Sequence, residues 1–368
     1  MVDKLKIGIV GYGNIGKAVE LAVQNNPDMV VEGIITRRPE SVSPISGVQV
    51  LSIQEAEKRK DCFDVFVLCG GSATDLPKQG PFFARLGNCV DSYDTHANMY
   101  QYFDSINKVA KENKNTYVIS AGWDPGTFSM ERVFQNTFLP GAKPYTFYGL
   151  TPRGGLSMGH SDAVRRVEGV ANARQYTHAN HEAIEGVRSG ENLDLIPRDM
   201  HWRECFVVAK KGADLNKIEQ DIKTMPGYFA PYHTTVTFVS QEELDEIDKK
   251  RGMCHDGLVL AVGETSPGKW AVMEYKNQWD SNPEATANIM LAYARAGYLL
   301  NKKGKFKLNE LDNQFGNKII DGLVKMLGKK TTMENSIINE HFGAKTVFDF
   351  PPRELTTYTY GAIVGTKL

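Results

Sequence analysis

Short apolar runs alternate with longer stretches of helical pattern over the first 124 residues of the chain. The apolar runs have the length of β-strands and cover residues 6–10, 30–36, 64–69, 88–91 and 116–120. Alternation of this kind is typical of βαβ units, in which helices cover the faces of a parallel sheet. We therefore predict a parallel sheet in the N-terminal third.

The alternation stops after Gly126. Residues 128–138 have a helical pattern, and residues 149–159 are rich in glycine and predict a loop. Apolar runs at 205–209 and 234–239 predict strands of a second sheet, with a helix over 215–224 between them. This part of the chain is predicted to be α+β.

A further helix is predicted to open the C-terminal part. Pro283 follows Asn282, and proline favours the first position of a helix, so Asn282 is expected to be the N-cap. Further on, an apolar residue recurs every three or four positions, at Leu308, Leu311, Phe315, Ile319, Leu323 and Leu327. This spacing predicts an amphipathic helix within residues 305–342, and residues 344–350 predict a last strand.

The first apolar run leads directly into Gly11-Tyr-Gly13-Asn-Ile-Gly16 and then into a helical pattern. Strand, G-x-G-x-x-G and helix in this order predict a dinucleotide-binding turn. Gly11 would form the tight turn, Gly13 would let backbone N–H groups approach a pyrophosphate, and Gly16 would let the helix lie close to the strand. The alternative is a glycine-rich turn without a ligand.

Arg37 and Arg38 follow the second apolar run, where an NAD-binding fold usually places an acidic residue on the ribose 2′-hydroxyl. A guanidinium group suits a 2′-phosphate instead, so the pair predicts NADP(H) rather than NAD(H). A solvated basic turn is the alternative.

Small and hydroxylated residues follow the third apolar run, at the edge where open α/β sheets bind ligands. Ser72 and Thr74 are therefore candidates for the cofactor phosphate or ribose, although a helix cap explains them equally well. The predicted cofactor-binding residues are Gly11, Tyr12, Gly13, Asn14, Ile15, Gly16, Arg37, Arg38, Cys69, Ser72 and Thr74.

Two carboxylates follow the next two strands of the predicted sheet. Asp94 comes after the strand that ends at Asp91, and Asp124 comes after the run that ends at Ser120. Both loops would emerge at the edge of the glycine turn, near the nicotinamide end of a cofactor, where paired carboxylates can hold a cationic amine. The alternatives are an Asx turn at Asp94 and a pre-proline turn at Asp124.

Composition excludes several classes of function. The chain has 368 residues, 43 Lys and Arg against 44 Asp and Glu, and a net charge of -1, so no global field recruits nucleic acid or an anionic membrane. Its five cysteines form no C-x-x-C, and no cluster has metal-ligand spacing, so no metal is expected. The sequence contains neither an apolar signal core nor a run of 18 apolar residues, which predicts a cytoplasmic protein.

The chain is long enough for several domains. We predict a Rossmann-type dinucleotide-binding domain with a parallel sheet plus an α+β substrate and dimerisation domain. The Rossmann domain would cover 1–125, completed by 283–304 and 343–368. The α+β domain would cover 126–282, and 305–342 would be a helical insertion. A homodimer is the expected assembly.

The chain resembles the NADP-dependent meso-diaminopimelate dehydrogenases. The signatures span nearly the whole sequence in order: Gly11-Tyr-Gly-Asn-Ile-Gly16, Thr36-Arg-Arg38, Leu68-Cys-Gly-Gly-Ser-Ala-Thr-Asp75, Asp91-Ser-Tyr-Asp94, Gly122-Trp-Asp-Pro-Gly126, Leu156-Ser-Met-Gly-His-Ser-Asp162, Arg203-Glu-Cys-Phe-Val207, Thr224-Met-Pro226 and Gly252-Met-Cys-His255. The resemblance implies oxidative deamination of the D-centre of meso-diaminopimelate, with NADP(H) as cofactor.

The same resemblance implies roles for individual residues. Asp94 and Asp124 would face the D-centre ammonium, in a pocket shaped by Trp123, Met158 and Gly159. Thr177, Arg203 and His255 would bind the L-centre carboxylate, and Asn282 the L-centre amine. Read alone, each of these four is more often a surface, capping or satisfied core residue. Tyr148, a further candidate, stands where the family often has tryptophan, before a loop that is longer here.

Two alternatives to this function are left open by the residues. One is an NADP-dependent D-amino-acid dehydrogenase of broader specificity, because the longer loop controls the volume of the pocket. The other is a non-catalytic NADP(H)-sensing protein, which would explain the glycines and arginines but not Asp94, Asp124, Arg203 and His255. Whether an aspartate or a water held by one takes the amine proton is also open.

Overall fold

A computed structural model of the chain describes residues 4–95, 98–139, 142–191 and 193–302. The described residues form two compact units. The first contains the chain up to Thr137 and from Pro283 onward, and the second contains Phe138–Asn282. The predicted domain boundaries remain a prediction, and both the predicted insertion at 305–342 and the segment 343–368 lie outside the described residues.

The first unit is an α/β layer structure. Its elements are β1 (Leu5–Val10), α1 (Asn14–Val23), β2 (Met29–Ile35), β3 (Val50–Leu51), α2 (Ile53–Lys58), β4 (Val65–Leu68), α3 (Leu76–Leu86), β5 (Asn88–Asp91), α4 (Met99–Glu112), β6 (Tyr117–Val118), α5 (Thr127–Phe138) and α11 (Asn282–Lys302). The strands lie in the order β3-β2-β1-β4-β5-β6, and every pair is parallel. This is the Rossmann strand order, so the predicted fold class is confirmed.

Burial on both faces of the sheet explains why its strands read as apolar runs. Ile7 and Ile9 of β1 are completely buried in a core that α1 covers. From Pro283 onward, α11 adds Ala287, Met290 and Leu291 to that same core, and Arg295 binds Asp28 at 2.6 Å. The helix α11 is therefore part of the first unit, although it is far in sequence from the strands that it covers.

The second unit contains two sheets. Its elements are β7 (Lys143–Tyr148), β8 (Gly155–Leu156), α6 (Met158–Arg165), β9 (Val170–Ala179), α7 (His181–Arg188), α8 (Pro197–Met200), β10 (His201–Ala209), α9 (Leu215–Lys223), β11 (His233–Phe238), α10 (Gln241–Arg251), β12 (His255–Ser266) and β13 (Lys269–Trp279). One sheet has the order β11-β10-β9-β8 and the other β13-β12-β7. This mixed arrangement confirms the predicted α+β class.

The sequence predicted a continuous loop over residues 149–159, and this prediction is wrong. Gly155 and Leu156 form β8 against β9, and α6 begins at Met158 because the Ser157 hydroxyl accepts a hydrogen bond from the His160 N–H. The hairpin of β12 and β13 was not predicted either. Among the described helices, even the 21-residue α11 lacks the apolar character that crossing a membrane requires.

Candidate active site

The glycine turn in the first unit has the geometry that close approach of a ligand requires. Gly11 has a φ of +90°, which favours glycine, and its N–H donates to the Ile35 carbonyl at 2.8 Å. A Cβ at Gly16 would overlap the carbonyl oxygen of Gly11, whereas a Cβ at Gly13 would meet nothing. Gly16 is therefore needed for packing, and Gly13 leaves an open surface at the start of α1.

A cavity of about 440 Å³ opens beside this turn. Predicted cofactor residues that line it are Gly11, Tyr12, Gly13, Arg37, Arg38 and Cys69. Ser72, Thr74, Asn14, Ile15 and Gly16 are outside the lining. Burial raises the pKa of the Cys69 thiol, so this residue lines the cavity as a neutral group. Nη2 of Arg37 lies 3.1 Å from Oδ1 of Asp75, which also lines the cavity and which sequence reasoning did not single out.

Glu20 is a second residue near the glycine turn that sequence reasoning did not single out. It is 1% exposed within α1, and its carboxylate accepts hydrogen bonds from the Tyr12 hydroxyl, the Ser46 N–H at 2.7 Å and the Ile45 N–H at 3.2 Å. Burial raises the pKa of Tyr12 to about 12, with help from the hydrogen bond to Glu20. Glu20 therefore connects the glycine turn to the loop at residues 45–46.

The two loops with the predicted catalytic aspartates are joined by Asp91, which is completely buried. One carboxylate oxygen of Asp91 accepts the N–H groups of Tyr93 and Ser120, each at 3.0 Å. The other accepts the hydroxyls of Tyr102 and Tyr117. The loop that carries Asp94 and the loop that carries Asp124 are thus held by one side chain.

Asp94 and Asp124 have different surroundings. Asp94 is exposed, and its N–H donates to the Ser72 hydroxyl at 2.9 Å, so Ser72 supports the Asp94 loop. The Asp124 carboxylate is 5% exposed and forms a two-point ion pair with Arg132 of α5. Trp123 packs against Phe128, with ring centroids 4.3 Å apart.

In the second unit, β9 and β10 bring Thr177 and Arg203 together. The two residues are direct partners in the antiparallel register, and the Arg203 guanidinium donates to the Thr177 hydroxyl. Arg203 is 6% exposed and its guanidinium lies over the Tyr232 ring at 4.1 Å. Among the described residues no carboxylate forms an ion pair with Arg203.

The remaining predicted substrate residues lie around β8 and β12. His255 begins β12, and its Nδ1 would lie 3.8 Å from a Cβ at Gly155. Asn282 donates to the Leu156 carbonyl at 2.9 Å and its N–H to the Met253 carbonyl at 2.7 Å. Met158 and Gly159 begin α6, directly after β8.

His201 supports Tyr148, the predicted pocket residue at the end of β7. The Tyr148 N–H donates to Nε2 of His201 at 2.9 Å, and the two rings stack with centroids 5.2 Å apart. Burial, with the nearby charge of Arg203, lowers the pKa of His201 well below its ordinary value. A neutral imidazole can accept that N–H. Sequence reasoning missed His201, and no local pattern marks it.

Comparisons with known proteins identify relatives of this chain. A family model described as the diaminopimelic acid dehydrogenase C-terminal domain matches residues 122–281. The meso-diaminopimelate D-dehydrogenase of Acetivibrio thermocellus is 47% identical over 360 residues, which cover 96% of this chain and 95% of that protein. That match extends well past residue 304, so the C-terminal segment has a counterpart at least in this relative.

Two solved structures are also similar. C. glutamicum DAP dehydrogenase in complex with DAP has a TM-score of 0.76 and 39% identity, covering 83% of this chain and 91% of that chain. An engineered D-amino acid dehydrogenase bound to NADP+ has a TM-score of 0.74 and 38% identity, covering 82% of this chain and 91% of that chain.

Proposed function

The chain belongs to the family of meso-diaminopimelate D-dehydrogenases, and on this premise we propose the reaction that it catalyses. The D-centre of meso-2,6-diaminopimelate is oxidised with NADP⁺ and water to L-2-amino-6-oxopimelate, ammonium, NADPH and a proton. The reaction is reversible and serves lysine and diaminopimelate biosynthesis. The substrate of the DAP complex and the NADP+ of the engineered relative agree with this assignment.

The environment of the Arg203 guanidinium is the observation that carries the assignment of the substrate class. The Arg203 guanidinium is buried without an acidic partner among the described residues, and its Nε has no hydrogen-bond partner there. A buried cation is costly unless it is paired, and a guanidinium binds a carboxylate at two points. A substrate with a carboxylate far from its reacting centre would complete this cluster, and the L-end of meso-diaminopimelate supplies one.

The cavity beside the glycine turn suits NADP(H). Arg37 and Arg38 line it together with the open backbone at Gly13. The arginines would bind the 2′-phosphate, and the start of α1 the pyrophosphate. A bound cofactor would supply the acceptor for the hydride that leaves the D-centre carbon. The protein contributes the position of that carbon and the charges around it.

Asp94 and Asp124 would hold the D-centre amine, with Trp123, Tyr148, Met158 and Gly159 around it. The two-point ion pair with Arg132 keeps the Asp124 carboxylate in one orientation. The ammonium must lose a proton before hydride leaves, and exposed Asp94, or a water on it, would take that proton. Thr177, Arg203 and His255 would bind the L-centre carboxylate, and Asn282 the L-centre amine.

We also propose that the enzyme works as a cytoplasmic homodimer. The five cysteines are free thiols in the structure, which fits a reducing compartment. Trp270 and Val272 of β13 are 61% and 46% exposed, and such exposed apolar side chains suit a contact between two copies of the chain. Light scattering after gel filtration tests the dimer: a mass of one chain would refute it.

The initial rate of NADP⁺ reduction at 340 nm tests the proposed function. The substrates are meso-diaminopimelate, its LL and DD isomers and D-lysine, each also with NAD⁺. Turnover of the meso isomer with NADP⁺ alone is expected. Similar rates with simple D-amino acids would show the broader dehydrogenase, which the engineered neighbour makes a specific alternative. Tight NADPH binding without any turnover would indicate that the chain is a non-catalytic NADP(H)-sensing protein.

A further inference from the structure

The hydroxyl of Thr177 is engaged from two sides within the second unit. Its oxygen accepts a hydrogen bond from the Arg203 guanidinium and a second from Nε2 of Gln175 at 3.2 Å. A threonine hydroxyl has two acceptor positions and one proton to donate. Since both acceptor positions are filled, the Thr177 hydroxyl can make a further hydrogen bond only as a donor. A carboxylate oxygen is a suitable acceptor for its proton.

The orientation of the Gln175 amide decides whether this proton is available. A guanidinium has no acceptor, so Arg203 always donates to Thr177. If Gln175 presented its carbonyl oxygen, the Thr177 hydroxyl would donate to that oxygen and have no proton left for a ligand. With Nε2 facing Thr177, the hydroxyl becomes a donor to whatever binds beside Arg203.

Gln175 is in a position that favours such a role. It lies on β9 two residues before Thr177, so both side chains are on the same face of the strand, and it is completely buried. Its N–H is fixed by the Ser161 hydroxyl at 2.9 Å. Its Oε1 and the Nε of Arg203 are buried atoms without a partner among the described residues.

Unpartnered buried polar atoms cost stability, so native proteins keep few of them. Here the acceptor is Oε1 of Gln175 and the donor is Nε of Arg203, and both side chains donate a hydrogen bond to the Thr177 hydroxyl. A ligand carboxylate beside Arg203 would satisfy the donor, and the L-end of the substrate has such a carboxylate.

We propose that Gln175 is a positioning residue for the L-end of the substrate: it fixes the Thr177 hydroxyl as a donor to the distal carboxylate. This inference rests on the proposed function. It adds a residue that selects for substrates with a distal carboxylate, and it assigns Gln175 no part in hydride transfer.

Gln175→Met tests the proposal because methionine has a similar length and makes no such hydrogen bonds. We expect the KM for meso-diaminopimelate to rise about tenfold, the size of one hydrogen bond to a charged group, with kcat within about twofold. The inhibition constant of D-lysine against meso-diaminopimelate should not change, because D-lysine lacks the distal carboxylate. The Kd of NADPH, followed by its fluorescence, should not change either.

A double-mutant cycle with Thr177→Val separates positioning from a general structural effect. If Gln175 acts through the Thr177 hydroxyl, Gln175→Met has no further effect on KM in the Thr177→Val background. The matched control is Gln241→Met, the same change at an exposed glutamine at the start of α10, which should leave all constants unchanged.

Each outcome has a separate meaning. A wild-type enzyme that does not turn over meso-diaminopimelate refutes the proposed function. An active wild type with an unchanged KM in Gln175→Met, an equal rise in the inhibition constant of D-lysine, or full additivity with Thr177→Val overturns the role of Gln175. If Gln175→Met does not fold, Gln175→Glu is the second test. The new carboxylate would accept the Thr177 proton and pair with Arg203, so the KM for meso-diaminopimelate must rise. An unchanged KM in this variant overturns the role of Gln175.

Discussion

Arg132 donates two hydrogen bonds to Asp124 inside the first unit, from Nη1 to Oδ2 at 3.0 Å and from Nη2 to Oδ1 at 2.6 Å. The side chains of Arg132 and Asp124 are only 2% and 5% exposed. The Ser129 hydroxyl lies within 3.4 Å of the carboxylate as well. A side chain proposed to bind the substrate amine is therefore held rigidly by the helix that follows it.

Arg132→Met is expected to destabilise the protein by about 3–5 kcal/mol, because it removes one member of a buried two-point ion pair. Arg132→Lys keeps the charge but loses the two-point geometry, so it should retain more stability. Chemical denaturation at neutral pH measures both. Arg85→Met is the control, because its ion pair with Glu57 is half exposed and should contribute at most about 1 kcal/mol. Equal losses in Arg132→Met and the control would contradict the interpretation.

Asp91→Asn should weaken the link between the Asp94 and Asp124 loops. Asparagine can still accept the Tyr93 and Ser120 N–H groups, but its NH₂ faces the hydroxyls of Tyr102 and Tyr117, so about 1–3 kcal/mol of stability should be lost. We expect kcat for meso-diaminopimelate to fall while the Kd of NADPH is unchanged, since the cofactor cavity does not include Asp91.

Tyr102→Phe provides the comparison for Asp91→Asn. It removes one hydroxyl donor and leaves both backbone hydrogen bonds intact, so it should lower stability with a smaller effect on kcat. A variant Asp91→Asn with lower stability and wild-type kcat would show that Asp91 supports the core and does not position the loops.

The cofactor turn could be predicted from the sequence because its parts are contiguous. The strand, the glycines and Arg37 lie within one βαβ unit, so local spacing encodes their arrangement. The same holds for Asp94 and Asp124, which follow successive parallel strands and therefore emerge at one edge of the sheet. Their roles remain predictions.

What the sequence could not reveal depends on long-range register. Arg203 meets Thr177 because β9 and β10 pair in one particular register, and no local pattern encodes that pairing. Gln175, Glu20 and Arg132 are polar residues in strands or helices, where a solvent-exposed position is the ordinary expectation. The hairpin of β12 and β13 did carry a signal: Pro267-Gly268 separates the apolar run of β12 from the alternating stretch of β13.

Arg37→Leu should raise the Kd of NADPH about tenfold or more and leave the Kd of NADH nearly unchanged, because only the 2′-phosphate needs the guanidinium.

Asp75→Asn should lower the Kd of NADPH. Its carboxylate lies 3.1 Å from the exposed guanidinium of Arg37, so removing the charge should tighten NADPH binding by a few-fold at most. Fluorescence titration at two salt concentrations measures both constants. Equal weakening of NADPH and NADH in Arg37→Leu would place Arg37 away from the 2′-phosphate.

The lowered pKa of Glu20 predicts how the free energy of unfolding depends on pH. Burial acts to raise the pKa of Glu20, but hydrogen bonds from Ser46, Tyr12 and Ile45 outweigh it, so the pKa lies below its ordinary value of 4.5. A carboxyl group with a lowered pKa in the folded state stabilises the protein above the unfolded pKa, and this contribution is lost as the pH falls through the folded value. Glu20→Gln should therefore lose about 1–3 kcal/mol at pH 7.

The difference in stability between wild type and Glu20→Gln should shrink as the pH falls below 4.5, because the wild-type carboxyl is then protonated as well. Denaturant unfolding at a series of pH values measures this difference, and taking the difference removes the contributions of the other carboxyl groups. Glu112→Gln, at an exposed position in α4, should show no difference at any pH. A Glu20→Gln difference that stays constant from pH 7 to pH 3 would mean that the packing of residue 20, and not its charge, holds the 45–46 loop on the cofactor turn.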